Sequence, residues 1–296
     1  MTNVVPLHTI DTSTIFPVDS PIFFPVWEFP LQFVGRSSSY DVPSHKAIVR
    51  DRGGIPAVLG VVGKNYQIIT TKEVCQAAEA EFRSAMTPEQ LYGARTTDRT
   101  AYYGSLCIRD YQFPSINVDI DGRGSTARFR TIVTNGYDGS TSLKIYTGAI
   151  DGFCTNGMVT GAFDLIAKRH TKGVELPKLA ERIRANIKIF YTEAEKWKKW
   201  ARKEITRDMA KDVFDAMPGA SERLTNKLLR QFDIECLSRG KNVWALFSAA
   251  TYYASYAEGE FSVRATENDH TASTMLGREM QVRRWTETEA FMKIAA

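Results

Sequence analysis

Leu179, Ile183, Ile187, Phe190, Ala194, Trp197, Ala201 and Ile205 recur at steps of three and four residues. That spacing marks one face of a very long helix, or of two helices laid end to end, with Pro218-Gly219 as the break. Shorter helical patterns follow at Ser221 to Leu237, Val243 to Tyr256 and Ser273 to Ile294, separated by Arg239-Gly240 and a polar loop near Asn268. Everything after about Glu175 changes class, from mainly strand-like segments to helices. A chain of that order belongs to the α+β class.

The strand half begins after a zone of its own. Over residues 1–45, Phe16, Phe23, Phe24, Trp27, Phe29 and Phe33 are interleaved with Pro17, Pro21, Pro25 and Pro30. Proline at this density forbids a helix. The zone is expected to be an extended arm packed on its own domain; docking on a neighbouring subunit is the alternative, because so many rings need a cover. From Lys46, KAIVR, the turn Asp51-Arg52-Gly53-Gly54 and PAVLGVVGKNYQII read as a hairpin and a following strand. Thr70-Thr71-Lys72-Glu73 is a Thr-x-x-Glu capping box, and Val74, Ala77, Ala78, Ala80, Phe82 and Met86 continue it as a helix ending before Pro88.

Strand-like segments then follow one another: AYYGSLCIR from Ala101, PSINVDI from Pro114, STARFRTIVTN from Ser125 and SLKIYTGAI from Ser142, with Asp121-Gly122 as a hairpin signal. The expected architecture is an antiparallel β-meander with a packed helix, followed by a mostly helical C-terminal half that includes one long helix. The expected divisions are an arm at 1–45, a sheet domain at 46–170 and a helical region at 171–296, packed on the sheet domain.

Several chemistries lack their sequence requirements. No Gly-x-x-x-x-Gly-Lys-Ser/Thr loop is present to cradle a nucleotide phosphate. Asp119-Ile120-Asp121-Gly122 opens like a calcium loop, but Arg123 holds the fifth position and Arg130 stands where a glutamate would close the shell. His8, His45, His170 and His270 lie far apart, and Cys75, Cys107, Cys154 and Cys236 form no Cys-x-x-Cys pair. Cys154 has no histidine near it in sequence to act as its base, so it reads as a small core or turn residue before a nucleophile. No catalytic residue, metal or cofactor is assigned. Met1 to Asp19 lacks the basic start of a secretory signal, and no apolar run is long enough to cross a membrane. A reducing cytoplasm is expected.

The basic residues carry the functional expectation. The net charge is +4, and between Lys178 and Lys211 basic residues outnumber acidic ones about two to one. Lys196, Lys198, Lys199, Arg202 and Lys203 cluster around Trp197 and Trp200. Arg128 and Arg130 alternate along one strand and share a face, with Arg123 in the preceding turn. Whether Lys144 and Tyr146 join that face depends on the next loop. A two-residue Asp138-Gly139 turn pairs Ile132 with Ile145; a three-residue Asp138-Gly139-Ser140 loop pairs Ile132 with Tyr146 and Thr134 with Lys144. The second register makes one basic, aromatic face able to track phosphates while a ring stacks on a base. A solvated outer sheet face and a wet lysine-rich helix are the bland readings of the same residues.

The succession KAIVRDRGGIPAVLGVVGKNYQIITTKE, NGYDGSTSLKIYTGAIDGFCTNGM, LTNKLLRQFD and NVWALFSAATYYASY resembles the phage- and plasmid-borne family called domain of unknown function 932. The resemblance runs from about Lys46 to Tyr256, and VVGKNY and the DGS-to-CTNGM block are its most specific parts. It implies a bacteriophage or plasmid gene product working in the cytoplasm of a bacterial host. Element order alone is similar to that of the single-strand annealing recombinases, which form rings or filaments with DNA in a basic groove between sheet and helices. The leading expectation is therefore an oligomeric, non-enzymatic single-stranded DNA-binding protein that promotes annealing or recombination without nucleotide hydrolysis. Its binding residues would be Lys64, Arg123, Arg128, Arg130, Lys144, Tyr146 and the α-helical cluster at 196–203. The alternatives are a virion or host-interaction protein, and a hydrolase or nuclease whose site is assembled in space.

Overall fold

A computed structural model describes residues 15–139, 143–151, 157–158, 166–168, 179–255 and 271–296. Its described residues form two antiparallel sheets and eight helices, an α+β fold. Cys154, His8, His170, His270, Ser140 and the polar loop near Asn268 lie outside the described residues.

The first sheet has the order β1 (Val26–Val34), β2 (Ser39–Asp51), β3 (Pro56–Gly63). The proline-aromatic zone is thus strand in its second half, and β2 runs through residue 45 without a break. Proline is accommodated because it sits where the ladder is irregular: the β1–β2 register shifts between Pro30 and Gln32, on an edge strand. Residues 16–24 of the zone pack on their own chain. Phe16 and Ile22 are buried, Ser20 Oγ donates to Asp98 at 2.5 Å, and the guanidinium groups of Arg50 and Arg109 lie 3.8 and 4.3 Å from the Phe24 and Phe23 ring centres.

α1 (Thr71–Ala85) begins at the expected capping box: the Thr70 hydroxyl accepts from the Glu73 amide, and the Glu73 carboxylate accepts from the Thr70 amide at 2.7 Å. Its apolar face, Val74, Ala78 and Phe82, lies on the second sheet. After the single turn α2 (Pro88–Leu91) that sheet runs β4 (Arg95–Ala101), β5 (Leu106–Asp119), β6 (Thr126–Gly136), β7 (Leu143–Asp151), with β8 (Gly157–Met158) and β9 (Ile166–Lys168) both on β7. Two expected strands are one: LCIRD and PSINVD form β5, and the bulge between Phe113 and Asn117 absorbs Pro114. The segment from Ala101 breaks instead at Tyr102 and Tyr103, both at positive φ.

α3 (Leu179–Arg202) carries the periodic face. The end-to-end alternative holds, and the break comes earlier than Pro218. The chain leaves the helix at Lys203, bridges Glu204 to Asn242, and restarts at α4 (Arg207–Asp215) with Thr206 as cap. α5 (Glu222–Arg239), α6 (Val243–Ser255), α7 (Thr271–Thr286) and α8 (Glu289–Ala295) complete the chain. The expected helix from Ser273 to Ile294 is two helices, because Thr288 caps a new one. One core joins sheet and helices through a ladder of rings: Phe82, Phe113, Phe129, Phe190, Trp197 and Trp244, with successive centres 5.3 to 6.1 Å apart.

Candidate functional site

The β6–β7 ladder adopts the second register, pairing Ile132 with Tyr146 and Thr134 with Lys144. β6 stops at Gly136, and Tyr137 and Asp138 turn away to dock on β3. The Tyr137 hydroxyl meets the Thr71 amide at 2.8 Å, and a Cβ at Gly60 would meet Asp138 Cα and lie 2.8 Å from the Tyr137 carbonyl oxygen. Arg128, Arg130, Lys144 and Tyr146 therefore do project from one face, as that register requires.

That face is not an open binding surface. α7 lies across it, and Ala272, Leu276 and Met280 pack on Ala101, Leu106, Ile108, Ile132 and Tyr146. Tyr146 is buried, so its ring is unavailable for stacking on a base. Arg130 is 2 % exposed, and its Nη2 stands 3.3 Å from Asp110 Oδ2 and 3.2 Å from both Glu279 carboxylate oxygens. A guanidinium taken out of water needs carboxylate partners, and α7 supplies one of them. Arg128 and Lys144 remain half-exposed at opposite ends of the face.

The other predicted basic residues sort into two groups. Lys64 is exposed just beyond β3. Arg123, Lys198 and Arg202 converge, from a turn and a helix far apart in sequence, on a cleft of about 630 Å³. Lys196, Lys199 and Lys203 are exposed on the same end of α3; Lys196 is paired to Glu193 at 2.6 Å and Lys203 donates to the Ala296 carbonyl at 3.2 Å.

Each wall of the cleft is fixed locally. In the β5–β6 turn, Gly122 and Gly124 take positive φ, Asp119 accepts from the Gly122 amide at 2.9 Å, and Asp121 accepts from the amides of Arg123 and Ser125 at 2.9 and 3.1 Å. Each aspartate thereby turns one oxygen to backbone amides while keeping its charge, and Arg123 stands exposed at the tip. The opposite wall is the α5–α6 junction. Gly240 ends α5 at φ 81°, and Asn242 Oδ1 caps the next helix by accepting from Ala245 at 2.8 Å while its Nδ2 donates to Ala201 and Arg239 carbonyls at 2.9 and 2.7 Å. The Glu204–Asn242 bridge and the Ile205 amide bond to Lys241 at 3.2 Å tie the end of α3 to the same junction. Beneath lies Ser125, which accepts from Trp244 Nε1 at 3.0 Å and from the buried Arg239, itself paired to Glu235 at 2.9 Å.

Cationic side chains outnumber carboxylates in the lining, five to three. Lys198 is held by Glu195 at 2.8 Å, whereas among the described residues Arg123, Arg202 and Lys241 form no ion pair. Glu204 is the acidic member of the lining not engaged through its turn. Lys241 was missed in the sequence because Arg239-Gly240 signals only a helix end; its nearness to α3 arises from the Asn242 contacts. Among the described residues no three His, Cys, Asp or Glu side chains converge as a metal-binding group, and no helix is long and apolar enough to cross a membrane.

The fold and site define an α+β protein with a basic cleft where a sheet hairpin meets the ends of two helices. Residues 58–276 match the family described as Domain of unknown function (DUF932), and the chain belongs to that family. The match begins inside β3 and reaches the middle of α7, so it covers both cleft walls. No curated protein and no solved structure matches the chain.

Proposed function

We propose that the protein binds single-stranded nucleic acid in the cleft between the β5–β6 turn, α3 and the α5–α6 junction, and that it promotes strand annealing as an oligomer. The observation that carries this reading is the convergence of Arg123, Arg202 and Lys241, without ion pairs among the described residues, on one rigidly built cleft. Cations without an ion pair among the described residues leave their charge for a phosphate backbone, which requires no base contact. Annealing would leave the bases accessible and calls for no nucleotide hydrolysis. A phage or plasmid origin and action in the cytoplasm of a bacterial host belong to the same reading.

Oligomer formation is supported by an apolar sheet face. Phe29 pairs across β2 with Ala47 and Val61, and Trp27 with Val49 and Val58; Phe29, Val58 and Val61 are 46, 62 and 53 % exposed. The same face favours a second reading, a virion or host-interaction protein. Mass spectrometry of purified particles separates the two, since an annealing protein is absent from the mature virion.

The primary test is a gel-shift titration with a short oligonucleotide over a salt series. Binding should weaken steeply with salt, and the R123A/R202A/K241A variant should lower the slope of log K against log salt by about 2, at roughly 0.7 per phosphate contact. Failure to bind at low salt, or an unchanged slope in the variant, rejects the cleft as the site.

A further inference from the structure

Between β4 and β5 the chain takes a disfavoured course. Tyr102, Tyr103 and Gly104 follow one another at φ 55°, 60° and 98°, and the two tyrosines are the only non-glycine residues at positive φ among the described residues. Bulky side chains avoid the left-handed region, where glycine or asparagine sits more easily. Gly104 has a steric reason to be there: a Cβ would come 2.5 Å from an Arg50 guanidinium nitrogen and 2.8 Å from the Phe24 ring. The tyrosines are not placed there to fill a core, since Tyr102 and Tyr103 are 41 and 42 % exposed.

The rings stand beside arginines. Arg52, exposed in the β2–β3 turn, lies with its guanidinium carbon 4.6 Å from the Tyr103 ring centre. Arg50 Nη1 donates to the Tyr103 carbonyl at 3.3 Å, and the same guanidinium covers the Phe24 ring at 3.8 Å. Tyr102 Oη donates to Ser273 Oγ at 3.1 Å, which fixes that ring against the start of α7. Asp51 accepts from the Gly54 amide at 2.7 Å, and among the described residues neither Arg50 nor Arg52 forms an ion pair. Two arginines against one aspartate leave the turn with one positive charge in excess.

Exposed rings beside an unpaired guanidinium fit a ligand that is both flat and anionic. A single strand is such a ligand, because every base has a π-face and every linkage a negative charge. The backbone conformation points the same way. Folding alone gives no reason to hold two large rings outward at disfavoured dihedrals, and strain of this kind collects where a chain makes contacts. The position is also separate from the cleft. The tyrosines precede β5 at Leu106, whereas the turn that carries Arg123 follows β5 at Asp119, so the two lie at opposite ends of one strand, about 40 Å apart.

We propose that Tyr102 and Tyr103 form a stacking platform for the bases of a single strand, with Arg52 meeting its phosphate and Arg50 holding the turn in place. The assignment rests on the nucleic-acid reading above and adds to the basic cleft a site that holds bases.

Ultraviolet cross-linking of the full chain to an oligonucleotide carrying 5-iodouracil, with peptide mapping, tests the platform alongside anisotropy titrations over a salt series. The cross-link should fall on Tyr102 or Tyr103. Y102N/Y103N should weaken binding about 5-fold or more through loss of stacking, and leave the salt slope unchanged because no charge is removed. Its thermal midpoint should not fall, since asparagine tolerates the left-handed region. R52A should lower the slope by about 0.7. Cross-links that fall only elsewhere, or affinity unchanged in Y102N/Y103N, overturn the platform, and leave the cleft standing if R123A/R202A/K241A still lowers the slope. Cross-linking at the tyrosines with a slope that the triple variant does not change upholds the platform and rejects the cleft. No binding by the unaltered chain at low salt overturns both. If Y102N/Y103N does not fold, the cross-link on the unaltered chain and the slope of R52A carry the test.

Discussion

Replacing Arg130 by methionine should destabilise the protein in a way that depends on pH. The guanidinium stands 3.2–3.3 Å from Glu279 and Asp110, and all three groups are almost fully buried. At an effective dielectric of about 20, unit charges that close attract by roughly 5 kcal/mol, most of which is offset by the cost of drying them. Removing one partner leaves the other charges buried and unopposed, which costs about 3–5 kcal/mol. That is a large part of the ~5–15 kcal/mol that holds a domain folded. The Glu279 carboxyl is raised above its ordinary value by burial first, with Arg130 pulling it down and Asp110 pushing it up. A raised folded-state pKa means the folded protein holds that proton more tightly than the unfolded chain, so its contribution favours folding at low pH and is lost as pH rises through the folded pKa. Without Arg130 the rise is larger. The loss of stability in R130M should therefore be greatest near about pH 8 and shrink towards about pH 5, where the carboxyl can stay neutral. Urea unfolding at both pH values reads it, and D110N/R130M/E279Q should recover most of the loss by removing the stranded charges. A loss under about 1 kcal/mol at the higher pH, or one that does not shrink on acidification, would refute the reasoning.

Two further outcomes follow from the fold. Gly60→Ala should cost about 1–3 kcal/mol, because its methyl would enter the Tyr137–Asp138 backbone; thermal unfolding checks it, and an unchanged midpoint would mean the β6–β7 end does not dock on β3. Burial pushes the Cys75 and Cys107 thiols up to about 12 and Cys236 up to about 11, so iodoacetamide should modify Cys75 and Cys107 only on unfolding. Peptide mapping that finds either one labelled in the native protein as fast as an exposed thiol would contradict their placement.

Local sequence determined the elements whose signals are local. The Thr70–Glu73 box fixes the start of α1, and the spacing from Leu179 to Trp197 fixes the buried face of α3. Asp121-Gly122 sets the turn that presents Arg123, and the alternation of Arg128 and Arg130 sets which face they share. β4 escaped notice because RTTDRTA has almost no apolar side to alternate; it is a strand by virtue of pairing along β5. The break at Lys203 escaped it as well, since the bridge from Glu204 to Asn242 joins residues 38 apart.

The decisive difference lies in what covers a face. Periodicity says which side chains point the same way but is silent on which partner arrives there, because burial is a property of two elements and the pattern belongs to one. So the register that made Arg130 and Tyr146 candidates for nucleic acid is the one that let α7 bury them, and Glu279 turned a predicted contact into an ion pair. Only the tertiary structure decided that Arg123, Lys198, Arg202 and Lys241 meet, since the contacts of Asn242 join a helix end to a helix junction and those of Ser125 with Arg239 and Trp244 bring the hairpin to the same cleft.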